Sequence, residues 1–256
     1  MLTNSTSKYG LSSHYTAHAG RTYSDWQTSE GEIGGQLDAR KFTSYITSDD
    51  VVLDFGCGGG YVLKCIPCKR RVGVEPNPYS RDIALANGVE CHESLDELPD
   101  QVADIAITNH ALEHVPFPIE ALRQLQRKVK AGGRVVICVP LDDWRTSRVY
   151  DPTDINHHLH TWTPQLLGNT LTESGFDVRP DSVRIRTHAW PPRIHEFLYT
   201  HLPIVAFDTL CCITAFLLKH RELFAVLHLP QPVQCNAMPV SHIQRENDHE
   251  GQPGHR

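Results

Sequence analysis

The chain lacks an excess of positive charge: 24 lysines and arginines stand against 30 aspartates and glutamates, a formal net charge of −6. A nucleic-acid partner needs a basic face, so none is expected. An apolar leader is missing too. Met1 to Gly20 is polar, without the hydrophobic stretch of a secretion signal. The eight cysteines are therefore expected as reduced thiols in the cytoplasm rather than as a disulfide framework. The run that comes nearest to a membrane span, Leu202–Leu218, has 17 mostly apolar residues and is broken by Asp208. It is short for a bilayer, where a central charge costs roughly 2.5–3.5 kcal/mol. Membrane association is not expected; a buried helix, a lid or a dimer surface is. Cys65-Ile66-Pro67-Cys68 has the spacing of a redox or half-zinc motif, but no second pair at ligand spacing accompanies it. Buried or incidental thiols are the better reading.

What the chain does have is room for a core and a regular alternation. Its 256 residues, 40% apolar and 21% charged, suit one α/β domain with appendages. Val51-Val52-Leu53-Asp54-Phe55 is an apolar run ending near an acid, and Gly56-Cys57-Gly58-Gly59-Gly60 follows at once. The run fits a strand buried on both faces, as in a parallel sheet covered by helices. The glycines let the main chain turn sharply, so that a ligand can lie almost on the backbone. Val72-Gly73-Val74-Glu75 is a second apolar run that ends in an acid. Two such strand ends beside a bare turn describe a nucleoside pocket at the carboxyl edge of an α/β sheet. A dinucleotide fingerprint places its third glycine three positions after the second, where the helix start holds a pyrophosphate. Here the glycines are more tightly spaced, and Asp54 would repel a pyrophosphate while suiting a cationic ligand with a free amino group.

The rest of the chain keeps the alternation. Leu37, Phe42, Tyr45 and Ile46 give a short helix over Gly35–Thr47, and Tyr61–Ile66 begins the first crossover helix. Asn77-Pro78 opens a helix closed by Gly88, and Val89–Cys91 and Ala103–Asn109 are strands. Ile119, Leu122, Leu125 and Val129 form one helix face, stopped by Lys130-Ala131-Gly132-Gly133 before a strand over Arg134–Pro140. Thr163-Pro164 caps a helix to about Ser174, Phe176–Arg186 is strand-like, and Glu222–Leu229 is the last strand. This is the doubly wound pattern.

Taken in order, these runs resemble the motifs of class I S-adenosylmethionine-dependent methyltransferases of the small-molecule type, over roughly residues 40–190. The resemblance implies a Rossmann-like α/β fold: a doubly wound, mostly parallel seven-stranded sheet with helices on both faces. It implies S-adenosylmethionine as cofactor and a methyl group moved to an oxygen or nitrogen of a small-molecule or sugar-type acceptor. Glu75 would accept from both ribose hydroxyls. Asp54 would face the methionyl part, Gly56 and Gly58 would supply backbone contact, and Cys57 would be a small filler. Ser94 and Leu95 fall in the stretch that contacts adenine, and Asn109 falls where the chain passes the methionine end. His110 and His114 are candidate general bases or simply polar residues at a helix start, and Glu113 with His114 could be a structural pair. His160, in the run Asp154-Ile155-Asn156-His157-His158-Leu159-His160, is the leading base candidate, since an imidazole near neutral pKa can take a hydroxyl's proton. The alternative is that these histidines cap the next helix and bond loop backbone. No metal is expected, because Asn109–Val115 holds one carboxylate and the histidine run has no cysteine nearby.

Residues 1–34 form a leader, either disordered or folded over the pocket as a lid carrying Tyr15, Tyr23 and Trp26. Residues 35–229 form the methyltransferase domain, with a helical insertion at 187–220, and 230–256 is a polar tail expected to be disordered. A second copy of the chain is a candidate partner. Two rival readings stand beside the enzyme. One is a non-catalytic scaffold that binds a protein through the 202–218 helix; the other is a nicotinamide oxidoreductase, disfavoured by the glycine spacing.

Overall fold

Alternate residues of the central strands point to opposite faces of one sheet, and both faces are dry. Leu53, Phe55, Ala106, Val135 and Ile137 belong to one buried cluster; Val52, Ile105, Ile107, Val136 and Cys138 belong to the other. In this computed structural model the described residues are 10, 12–15, 17–141, 149–187, 194–218 and 221–231. The tail beyond 231, the first nine residues and parts of the 187–220 stretch lie outside them.

In chain order the elements are α1 (Ala17–Ala39), β1 (Val51–Phe55), α2 (Tyr61–Cys65), β2 (Arg70–Val74), α3 (Pro78–Ala86), β3 (Glu90–His92) and β4 (Ala103–Asn109). They continue with α4 (Pro118–Lys128), β5 (Val129–Pro140), α5 (Pro164–Glu173), β6 (Val183–Thr187), α6 (His195–His201), α7 (Ile204–Leu218) and β7 (Arg221–His228). The sheet runs β3-β2-β1-β4-β5-β7-β6. The first five strands are parallel, β7 is antiparallel to β5, and β6 is antiparallel to β7. Residues of α4 and α5 pack on one face; residues of α2 and α3, with Phe42, pack on the other. The winding reverses between β1 and β4, which opens a crevice where Phe55 and Asn109 leave the sheet.

Local signals decide several boundaries. The Asn77 side chain caps α3 by accepting from the Tyr79 amide, with Pro78 in the first turn, and Gly88 follows at φ +79°. Thr163 caps α5 by accepting from the Leu166 amide at 3.1 Å. Thr163→Ala is expected to cost about 1 kcal/mol, read as a lower denaturant midpoint at unchanged slope.

Elsewhere the chain departs from expectation. The short helix expected over Gly35–Thr47 is instead the end of the 23-residue α1, followed by a single tight turn at Thr43–Tyr45. Glycines make α1 a poor helix by propensity, but they let it lie close to its neighbours. A Cβ on Gly31 or Gly35 would come within 2.5 or 2.6 Å of Tyr61. Lys130–Gly133 does not end α4, which stops at Lys128; it bulges inside β5, so that Ala103 faces Val129 while Ile105 already faces Arg134. Of the expected 176–186 strand only Val183–Arg186 pairs with the sheet, continuing to Thr187, whereas Phe176 packs into the core. In α7 a stripe of Phe207, Cys211 and Ala215 is buried, and Asp208 holds Arg40 through two bonds of 2.9 and 2.7 Å. Among the described residues no helix is long and apolar enough to cross a membrane.

Candidate active site

The glycine turn sits at the crevice, and its backbone explains why glycine is needed. Gly56 has φ +79°, and a Cβ there would lie 2.4 Å from the Ala111 methyl. Gly58 has φ +51°, and a Cβ there would lie 2.7 Å from Gln27 Oε1. The Gly56 and Cys57 amides both donate to the Val74 carbonyl, locking the turn onto the end of β2. The Cys57 thiol fills the space beside Gly73, 3.6 Å from the Cys91 thiol, and that neighbour together with burial pushes it up.

Glu75 follows β2 and is buried against this turn. Its Oε2 accepts from the Gly58 amide at 2.9 Å and its Oε1 from the Asn77 amide at 2.8 Å. A carboxylate has about four lone-pair sites, so one on each oxygen is left for a ligand hydroxyl. Burial raises this carboxyl to about 7, opposed by the two amides and by Arg81. Asp54 is only 2% exposed. Burial, then the Glu75 charge, pushes it up to about 8, and its Oδ1 has no hydrogen-bond donor among the described residues. A cavity of about 170 Å³ separates the glycine turn from α1, and Gln27, Asp38, Asp54, Gly58, Tyr61 and Asn109 help line it. Gln27 Oε1 also lacks a donor among the described residues. The wall is thus rich in acceptors, which suits an ammonium group.

Helix α1 closes the cavity from above. The buried Asn77 amide donates to the Gly20 carbonyl at 2.8 Å. Tyr15 and Tyr23 meet edge to face at 4.9 Å, and Tyr23 reaches Trp26 at 5.6 Å. Burial raises both phenols; for Tyr15 the neighbouring Tyr23 and then the charges of Glu113 and Glu75 add to it, and for Tyr23 the charges of Glu75 and Glu113 do. Trp26 is 43% exposed and faces outward.

Asn109 ends β4 and His110 follows it at the crevice. Asn109 Nδ2 donates to Asp38 Oδ2 at 3.0 Å, and Lys41 Nζ donates to Asn109 Oδ1 at 3.3 Å. The same buried ammonium lies 2.9 Å from Asp38 Oδ1 and donates to Glu222 Oε1 at 2.8 Å. His110, at φ +53°, sets Nε2 3.0 Å from that Glu222 oxygen and Nδ1 3.7 Å from Glu113 Oε1. His114 Nδ1 meets the Tyr15 hydroxyl at 2.6 Å. His160 is turned elsewhere: its Nε2 bonds the Val115 carbonyl at 2.9 Å, and its own amide donates to the Glu113 carbonyl. Ser94 accepts from the Asp96 amide and caps a turn, while Leu95 is fully buried in the core. Any contact from Leu95 to a ligand therefore has to be made by its main chain.

Gln27, Asp38, Lys41 and Glu222 were not singled out from the sequence. Gln27, Gly31, Gly34 and Asp38 do follow helical spacing, so a polar and small stripe on one face of α1 was the available signal.

Residues 35–180 match a family model described as a methyltransferase domain. Over 99 residues the chain is 35% identical to the ubiquinone biosynthesis O-methyltransferase of Aeromonas salmonicida, covering 34% of this chain and 41% of that protein. Over 136 residues it is 30% identical to an uncharacterized methyltransferase of Schizosaccharomyces pombe, covering 45% of this chain and 48% of that one. The chain thus spans less than half the length of these curated relatives. Among solved structures, phosphoethanolamine N-methyltransferase 2 of Haemonchus contortus, in complex with S-adenosyl-L-methionine, superposes with a TM-score of 0.55 at 15% identity. That match covers 86% of this chain and 58% of the other. A SAM-dependent methyltransferase of Archaeoglobus fulgidus gives 0.52 at 19% identity, over 80% of this chain and 99% of that one. At such identities the likeness concerns the fold.

Proposed function

The chain belongs to the family of methyltransferase domains, of the class I S-adenosylmethionine-dependent fold, and from that premise we propose that it moves a methyl group from S-adenosylmethionine to an oxygen or nitrogen of a small-molecule acceptor. The observation that carries this reading is the Glu75 carboxylate, fixed by the Gly58 and Asn77 amides at the mouth of a cavity walled by acceptors. Glu75 would hold the ribose hydroxyls. Asp54, with Gln27 and Asp38, would receive the methionyl ammonium, and Asn109 would border the same end. When bound, the cofactor supplies a methyl group already activated on a sulfonium, so the protein's work is alignment and exclusion of water. Tyr15 and Tyr23, packed edge to face, would serve the second task.

An oxygen acceptor is favoured. A hydroxyl must give up its proton, whereas an amine needs little help, and the imidazoles of His110 and His114 stand beside Asn109 on the acceptor side. The relative from Aeromonas salmonicida is likewise named an O-methyltransferase. A cytoplasmic setting fits the free thiols among the described residues. The test is calorimetry of the full chain with S-adenosylhomocysteine. One site per chain with a micromolar constant is expected, and absence of binding heat at several temperatures would sink the reading.

The scaffold reading draws on α7, whose Val205, Phe216 and Leu217 are 74%, 81% and 70% exposed. It expects a protein partner to be retained when Glu75 is replaced and cofactor binding is lost.

A further inference from the structure

We propose that Cys57 and Cys91 form an oxidation site, which hydrogen peroxide converts into a disulfide that pulls the glycine turn out of shape. The two sulfurs already meet at 3.6 Å, and neither is in a disulfide. In the sequence the two residues stand 34 positions apart. Gly73 brings them together. It is the β2 residue opposite Cys91 in the parallel register, and its missing side chain leaves the space that the Cys57 sulfur occupies. A Cβ on Gly73 would lie 2.5 Å from that sulfur, so a larger residue there would wedge the thiols apart.

The two thiols have different parts. Cys57 is buried, and its hydrogen bond with Cys91, with burial next, holds it well above the usual thiol range. Cys91 lies on β3, the edge strand of the sheet, and is the more exposed of the two. Cys91 is therefore the sulfur that a peroxide reaches first. Its thiolate attacks one peroxide oxygen, the O–O bond breaks, and a sulfenic acid and hydroxide result. The Cys57 sulfur then displaces the hydroxyl from the Cys91 sulfur and gives up its proton, so that water leaves as the S–S bond forms. The two thiols lose two electrons, and the peroxide takes them up as two waters. A resolving thiol this near intercepts the sulfenic acid before a second oxidation. Transient disulfides of this kind are the ones that occur in reducing compartments.

A disulfide needs its sulfurs about 2.05 Å apart, so the gap has to close by about 1.5 Å. Cys91 is held in the ladder between β2 and β3. Cys57 stands between Gly56 and Gly58, both at positive φ, so the turn is the part that yields. The next residue, Gly58, supplies the amide that holds Glu75 Oε2 at 2.9 Å, and a displaced turn breaks that bond. Oxidation thus weakens cofactor binding. This consequence rests on the methyltransferase reading, whereas the disulfide itself does not.

The full chain is treated with hydrogen peroxide, blocked with an alkylating agent, digested without reductant and mapped by mass spectrometry. A cross-linked peptide pair joining Cys57 to Cys91 is expected, and dithiothreitol should remove it. On oxidation the affinity for S-adenosylhomocysteine should fall about 10-fold, the worth of one charge-assisted hydrogen bond, and it should return on reduction. Amide hydrogen exchange over 56–60 should quicken in the oxidised chain without any ligand. Cys91→Ala should bind S-adenosylhomocysteine as the reduced wild type does, and peroxide should leave its affinity unchanged. No bridge, a Cys65–Cys68 disulfide as the main product, or a Cys91 sulfinic acid in place of the bridge overturns the proposal. So does a bridged chain whose exchange over 56–60, or whose affinity, equals that of the reduced chain. A chain that forms the bridge and quickens exchange, yet binds no S-adenosylhomocysteine even when reduced, counts against the methyltransferase reading alone.

Discussion

Glu75→Ala is expected to weaken S-adenosylhomocysteine binding by about 3 kcal/mol, on the order of 100-fold, because two charge-assisted hydrogen bonds to the ribose are lost together. Glu75→Gln should do little better. Both carboxylate oxygens already accept from backbone amides, so an amide NH₂ would face one donor with another. The pH dependence follows from the same burial. Glu75 is raised to about 7 and Asp54 to about 8, each mainly by burial. An acid whose folded pKa lies above its unfolded value adds stability below the unfolded pKa and loses that contribution as pH rises through the folded one. The ligand-free protein should therefore lose the contribution of these two groups between about pH 4 and 8. The ligand, with its ammonium, prefers both acids ionised, so affinity should rise across the upper part of that window. Binding at pH 7 should release protons, seen as a dependence of the calorimetric heat on buffer ionisation enthalpy. A flat or falling affinity between pH 6 and 8 would contradict this assignment of Asp54 and Glu75.

Lys41→Met is expected to destabilise the fold by about 3–5 kcal/mol, because it strands buried carboxylates beside an apolar side chain. Lys41 is 4% exposed. Burial alone would pull it down, but Asp38, Cys138 and Glu222 hold it well above the usual lysine range. Burial would likewise raise Glu222, yet Lys41 and His110 hold it well below the usual carboxylate range. The measurement is the denaturant midpoint at constant slope. Adding Glu222→Gln to Lys41→Met should recover part of the loss, since these residues share one network. A single-variant loss within 1 kcal/mol would show that the ion cluster is solvated rather than buried. Beyond stability, this cluster ties the last turn of α1 to β4 and β7, and Asp38 within it lines the cavity. The same substitution should therefore also weaken cofactor binding.

The sheet was legible because its parallel strands are covered on both faces, so Val51–Phe55, Ala103–Asn109 and Arg134–Pro140 read as apolar runs. The two acids proposed for the cofactor stood out because Asp54 lies near the end of one such run and Glu75 directly follows another. Helix α1 was not, since glycines and a weak apolar period hide it, and its support comes from distant partners such as Tyr61 and Asn77. Glu222 looked like an ordinary strand residue until β7 placed it beside β5, and its partner Lys41 lies 181 positions away. His160 stood out by residue type as a base, or as one of the histidines that bond loop backbone; the turn of the loop sets its Nε2 on the Val115 carbonyl, while His158 from the same run lies near Glu113.

The most direct test is a crystal structure of the wild-type chain grown with S-adenosylhomocysteine. Both ribose hydroxyls should lie within about 3 Å of the Glu75 carboxylate, with the amino group among Asp54, Gln27 and Asp38. A ligand seated elsewhere, or one whose ribose leaves Glu75 bonded only to Gly58 and Asn77, would contradict the account.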